Sequence, residues 1–228
     1  MLGVGIVIPT LNEESNLRGL LEDLGRLSIT TDVVVADGGS GDDTVGVARE
    51  GGARVIVAQR GRATQMNAGA RSAAGDWLCF LHGDVRMPDA ARRDLVRVVS
   101  GGAVDAAVWG FAIDARGFWP RFMEAGTYLR DRVGGLPYGD QGLLVRRELF
   151  SAVGGFPEIP LMEDVALVRA LRSRVRLERL RSHLVVSPRR WIREGPYWTW
   201  ARNSLLMAAY LAGASPQRLA RWYRPEGS

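Results

Sequence analysis

Apolar residues in the first eighty positions come as short runs separated by segments of helical spacing. The runs at 3–8, 32–36, 53–57 and 76–81 predict strands. Between them, residues 13–27 set Leu17, Leu20, Leu21, Leu24 and Leu27 on one helical face, and residues 42–49 and 62–74 predict two further helices. Strand and helix in alternation are the mark of an α/β fold with a mostly parallel sheet flanked by helices. The second half is less regular. Residues 106–114 read as a strand, 117–133 as an aromatic-rich helix, 141–146 as a strand and 162–173 as a helix that opens at Glu163-Asp164. A mixed sheet is therefore expected there. No internal repeat or low-complexity linker marks a domain boundary.

The 228 residues suit one domain, or one domain with a small appendage, and 46% hydrophobic with 24% charged residues is a globular composition. All 30 basic residues are arginine, which excludes chemistry that needs a Schiff-base or phosphate-loop lysine. Arginine favours bidentate contact with phosphate, so a basic cleft for an anionic substrate fits a net charge of +5. The single Cys79 lies in the apolar run Trp77–Leu81 and cannot build a disulfide framework. A reducing, cytoplasmic setting is expected, since no leader pattern precedes the first strand and no apolar run reaches bilayer length.

In an open parallel sheet, ligands sit at the carboxyl ends of the strands. After the first predicted strand come Pro9, Thr10, Leu11, Asn12, Glu13 and Glu14; Thr10 or Asn12 can cap the next helix, and the segment can offer backbone to a base or ribose. After the second comes Asp37-Gly38-Gly39-Ser40, where a carboxylate next to permissive glycines can accept the hydrogens of a base edge. The fourth ends in His82-Gly83-Asp84, whose imidazole and carboxylate, two apart on an extended chain, would point the same way. A hard divalent cation, Mn or Mg, takes a carboxylate together with substrate phosphates, so Asp84 can serve without a full protein cage. His82 reads equally as a satisfied structural residue.

These blocks, with Gly139-Asp140-Gln141-Gly142, Val145–Phe150, Gly154-Gly155-Phe156 and Met162-Glu163-Asp164-Val165, resemble the family 2 glycosyltransferases. The likeness covers about residues 3–175 and looks closest to the small bacterial branch associated with radical-SAM and selenodomain neighbours. It implies a GT-A fold over residues 1–186, divided into a nucleotide-sugar half (1–100) and an acceptor half (101–186). It also implies a nucleotide-diphosphate sugar as donor. Under the same resemblance Asp37 meets the nucleobase with support from Arg62, or else Arg60, Asp84 carries the metal, and Asp164 is the general base of an inverting displacement. The family usually has Asp where this chain has His82. Pro9, Thr10, Asn12, Glu13, Asn67, Gly83 and Gln141 complete the expected donor surroundings. Glu163 is expected to face away, in a helix-cap or dipole role.

Residues 187–228 form a basic, aromatic, helical segment from which Arg189, Arg190 or Trp191 would complete the donor site. Its apolar stretch Leu205–Leu211 is too short to span a bilayer; it suits packing on the domain, on a second copy as a homodimer, or peripherally on the inner face of a membrane, where the acceptor would be lipid-linked. Nucleic acid is not an expected partner, because the arginines between 169 and 193 alternate with apolar residues and no binding motif accompanies them. Two other functions use the same sheet. A sugar-phosphate nucleotidyltransferase needs a basic Gly-rich first loop, whereas Asn12-Glu13-Glu14 is acidic. A non-catalytic nucleotide-sugar-binding protein would be consistent with the loss of Asp at position 82.

Overall fold

The computed structural model describes residues 3–134 and 139–223. Strands β1 (Val4–Thr10), β2 (Thr31–Asp37), β3 (Arg54–Val57) and β4 (Trp77–Phe80) alternate with helices α1 (Glu14–Leu24), α2 (Thr44–Glu50) and α3 (Arg62–Ser72). There follow β5 (Val85–Arg86), α4 (Asp89–Gly101), β6 (Ala106–Ile113), α5 (Phe118–Gly134), a 3-10 turn at Gly139–Gln141, β7 (Leu143–Arg146) and α6 (Arg147–Ala152). The last elements are α7 (Glu163–Arg172), β8 (Glu178–Val186), α8 (Arg189–Glu194), α9 (Pro196–Leu211) and α10 (Pro216–Trp222).

The strands make one mixed sheet in the order β3-β2-β1-β4-β7-β6-β8-β5. β1 is buried along nearly its whole length and pairs in parallel with β2 on one side and β4 on the other. The chain therefore winds outward in both directions from β1, which places a crevice at the carboxyl ends of β1 and β4. β7 then pairs antiparallel with β4, Trp77 opposite Arg146, and this is where the expected mixed half begins.

Each face of the sheet carries its own core. On one, Ile6 and Ile8 of β1 meet Leu17, Leu20 and Leu21 of α1, and the layer continues through Leu95 of α4 and Met123 of α5. On the other, Val7 and Val34 meet Ala63, Met66 and Ala70 of α3, with Phe150 of α6 and Leu167 and Leu171 of α7. Gly69 allows α3 this approach, because a Cβ there would lie 2.3 Å from Val7 Cγ1.

A third cluster joins Val165 and Val168, on the outer face of α7, to Leu206 and Met207 of α9 and Leu219 of α10. The carboxyl-terminal segment thus packs on the domain.

Four elements lie where the pattern predicts none: α4, α6, β5 and β8. β8 is the clearest, since Leu180, Ser182, Leu184 and Val186 are buried and the residues between them are not. That is the period of a half-buried strand. The expected strand at 141–146 begins only at Leu143, because the 3-10 turn holds Gln141.

Candidate functional site

A cavity of about 130 Å³ opens beside the carboxyl end of β4. Arg62 reaches it from the start of α3, His82 and Asp84 from the loop after β4, and Gly139 and Asp140 from the 3-10 turn. Met162 and Asp164 enter at the head of α7, and Arg190, Trp191, Thr199, Asn203 and Tyr223 close it from the carboxyl-terminal helices.

Asp164 is held by two main-chain amides: Gly139 N donates to Oδ2 at 2.7 Å and Val165 N to Oδ1 at 2.7 Å. Its position follows from the backbone before it. Met162 adopts a left-handed φ of 68°, a costly conformation for a non-glycine residue, and so turns Glu163 and Asp164 into the first turn of α7. Gly139 must be small, because a Cβ there would sit 2.8 Å from His82 Nε2 and 3.3 Å from Asp164 Oδ2. His82, Gly139 and Asp164 are therefore in contact across three separate segments.

His82 is half-buried, and the surface it retains faces the cavity. Burial first, then the charges of Arg62 and Arg190, push its imidazole down to about 3. It is neutral at physiological pH and keeps one ring nitrogen as an acceptor or metal ligand. His82 and Asp84 both line the cavity as expected, but the loop that carries them is a turn rather than an extended strand. Ser187 N donates to the Asp84 carbonyl at 3.0 Å, fastening this loop to the end of β8.

Glu163 does not face away as its helix position suggests. It is 3% exposed and lies 3.3 Å from Arg62, whose side chain keeps 42% of its surface towards the cavity. Glu163 first, and then Asp164, Tyr223 and Asp84, hold the guanidinium firmly charged against the opposing effect of burial. The carboxyl of Glu163 is pushed above the usual range by burial and by Asp164, with Arg62 pulling the other way. At the other end of the cavity Arg190 donates to the Tyr223 hydroxyl and stacks on its ring at 5.1 Å, while Arg202 covers the same ring at 5.2 Å and pairs with Glu194 at 2.6 Å. Trp191 packs edge-on against Phe111, 5.8 Å between centroids.

Among the described residues no group of three His, Cys, Asp or Glu is arranged to hold a metal ion. Asp84 and a neutral His82 are nevertheless a chemically suitable pair of donors for a divalent cation that draws its other ligands from phosphate.

The remaining predicted residues lie outside this group. Asp37 is 2% exposed and accepts from Gly39 N and Ser40 N at 2.9 Å, from Ser40 Oγ at 2.5 Å and from Thr10 Oγ1 at 3.2 Å. Its carboxylate is committed to its own turn. Asn12 and Glu13 knit the β1 and β2 loops together: Ser40 Oγ accepts from Asn12 N at 3.0 Å, Asn12 Oδ1 from Gly41 N at 2.8 Å, and Thr44 Oγ1 from Glu13 N at 2.9 Å. Pro9 continues β1 opposite Ala36, and Gly83 packs on Glu13. Asn67 exchanges two hydrogen bonds with the main chain of Phe156, at 2.8 and 3.0 Å, which makes it a clamp between α3 and the loop before α7. Gln141 is buried beside the cavity without lining it. Arg189 turns away to Glu13, 3.2 Å, leaving Arg190 and Trp191 as the cavity residues of that segment. Thr199, Asn203 and Leu206 were not anticipated as a wall, although their i, i+4, i+7 spacing on one helix face was present to be read.

This sheet, with a carboxylate-bearing crevice at the ends of β1 and β4, has the GT-A type of α/β architecture. The chain belongs to glycosyl transferase family 2, whose model matches residues 5–150. Similar solved structures include TarS 1-349 of S. aureus in complex with UDP-GlcNAc: TM-score 0.64, 20% identity, over 82% of this chain and 58% of that one. Glucosyl-3-phosphoglycerate synthase from Mycobacterium tuberculosis, in complex with Mn2+, UDP and glucosyl-3-phosphoglycerate, matches with TM-score 0.60 and 18% identity, over 82% of this chain and 70% of that one. The chain spans less than three fifths of that TarS chain. No curated protein matches it.

Proposed function

We propose that this protein transfers a sugar from a nucleoside diphosphate donor to an acceptor hydroxyl, with inversion at the anomeric carbon. The observation that carries the proposal is the single cavity shared by Asp84, His82, Arg62 and a doubly anchored Asp164. Family membership and the UDP-sugar and Mn2+ complexes of the similar structures support it.

Asp84, with His82 beside it, would hold a divalent cation together with the donor phosphates, and the cation would supply charge neutralisation for the departing diphosphate. The protein's own groups do the rest. Arg62 and Arg190 present fixed positive charge where the leaving group gains negative charge. His82, uncharged, can bond to substrate without adding a proton at neutral pH. Asp164 accepts the proton of the acceptor hydroxyl as that oxygen attacks. The amides of Gly139 and Val165 hold its carboxylate in place. Asp37 acts indirectly, by fixing the Gly38–Ser40 turn that borders the nucleobase. Asp164→Asn should bind donor normally and lose transfer; unimpaired transfer would remove the base assignment.

Against the non-catalytic reading stand Asp84 and Asp164, two carboxylates that line the same cavity as His82. A nucleotidyltransferase lacks its basic first loop here: Asn12 and Glu13 are tied into the β2 loop instead.

A further inference from the structure

The inner stripe of α9, Thr199, Asn203 and Leu206, lines the cavity, and its outer faces carry large apolar side chains into solvent. Trp198 is 64% exposed and Leu205 69%, one heptad apart on one stripe. Phe118 and Phe122 of α5 extend this surface: their rings stack at 6.2 Å, and Phe122 lies 6.5 Å from Tyr197 and 5.7 Å from Trp200. Phe118, Phe122, Tyr197 and Trp200 thus form one aromatic cluster across two helices, and Trp198 and Leu205 stand on the stripe of α9 about 100° round from Tyr197. Scattered exposed apolar residues need no explanation, but a contiguous patch of this kind marks an interaction surface.

Two observations identify what covers it. The first is its chemistry: four of the seven tryptophans lie after residue 190, and exposed Trp200 stands in one cluster with Tyr197 and Phe122, with Trp198 exposed on the same helix; such amphipathic aromatic side chains favour headgroup depth in a bilayer. The second is charge. Residues 189–223 hold six arginines and one acidic residue, Glu194, which is itself mostly buried and taken up by Arg190, Arg193 and Arg202. Arg121, next to Phe122 in α5, and Arg193 of α8 are more than half exposed. Basic residues accompanying an aromatic face complement anionic headgroups over an apolar interior. No helix among the described residues is long and apolar enough to cross a membrane.

We propose that this face seats the protein on the polar boundary of an anionic lipid bilayer, bringing the α9 wall of the cavity to an acceptor carried in that bilayer. The acceptor clause rests on the transfer reading above; the docking itself does not.

The test is flotation of the full chain with vesicles of phosphatidylcholine alone or mixed with phosphatidylglycerol, without donor. The protein should float with the anionic vesicles and detach as salt rises. Trp198→Ser with Leu205→Ser should lower partition about tenfold, the loss of two buried apolar side chains partly offset by the remaining arginines. Melting temperature should not change, and Phe118→Ser on the other helix should weaken partition in the same direction. Indifference to anionic vesicles, or undiminished flotation of the double variant, would overturn the proposal. So would a wild-type dimer that ignores vesicles and that the double variant dissociates. Binding of uridine and guanosine diphosphates, measured alongside, separates the two readings: vesicle binding without nucleotide binding upholds docking and removes transfer, and the reverse removes docking alone.

Discussion

Glu163 and Asp164 are neighbours in the chain with different surroundings, and the difference assigns their roles. Asp164 faces the cavity on two amide anchors, while Glu163 is sealed against Arg62. Truncating Arg62 therefore has two separable effects. Arg62→Ala should weaken nucleoside diphosphate binding about tenfold through the lost charge-assisted contact. It should also cost about 2 kcal/mol of stability by leaving a buried carboxylate unpaired, less than for a fully buried pair because the guanidinium is partly solvated. Adding Glu163→Gln should recover most of the stability and none of the binding. Calorimetric titration and urea unfolding of the single and double variants check this, and recovery of both together would show that the pair has no substrate role.

At the scale of elements, one ion-pair group joins α1 to the segment after β4. Asp23, on the buried side of α1, accepts from Arg86 at 2.7 and 2.9 Å and from Met87 N at 3.0 Å. Burial pulls its carboxyl up, but the Arg86 hydrogen bonds, the Met87 amide and the charges of Arg86 and Arg92 together hold it below its ordinary value of 3.8. The folded state thus binds this proton less readily than the unfolded state. The contribution is complete above the ordinary value and is lost as pH falls through the lower folded value. Asp23→Asn should cost about 2 kcal/mol at pH 7 and progressively less in stronger acid. A gap in urea midpoint between variant and wild type that does not narrow on acidification would contradict it.

The clamp between α3 and the loop before α7 gives a second case. Asn67→Ala strands one buried donor and one acceptor of Phe156 and should destabilise by about 2 kcal/mol, read as a lower urea midpoint. Much of this level was legible, because β1, β2, β4 and α1 are buried runs and stripes whose period shows in the residues. β8 was not read as a strand, because its exposed positions are Arg179, Arg181 and His183, and an alternation of arginine with apolar residues drew attention to charge before period. α4 has the same lesson in helical form: Ala91, Leu95, Val98 and Val99 keep the spacing of a buried stripe amid arginines and an aspartate.

At the scale of the whole molecule, what the sequence could show of the site was its strand-end half. Arg62, His82, Asp84 and Asp164 follow predicted strands or open predicted helices, and they converge on one cavity. The other half was hidden because it depends on how the carboxyl-terminal helices pack. Only the docking of α9 and α10 on α7, through Leu206, Met207 and Leu219, brings Thr199, Asn203 and Tyr223 to the same space. Asp37 lies outside that cavity, its carboxylate bonded by the amides and hydroxyl of its own turn and by Thr10.

Under the proposed function, one cavity binds a nucleoside diphosphate sugar through Asp84 and activates an acceptor through Asp164. The most direct measurement is titration of uridine and guanosine diphosphate sugars into the wild type, Asp84→Asn and Asp164→Asn, with and without Mn2+, paired with release of nucleoside diphosphate on turnover. Mn2+ should enhance binding in the wild type and not in Asp84→Asn, and Asp164→Asn should bind fully with turnover reduced by a factor of about 100 or more, the size of a lost general base. Absence of Mn2+-enhanced binding to every sugar, or full turnover in Asp164→Asn, would contradict it.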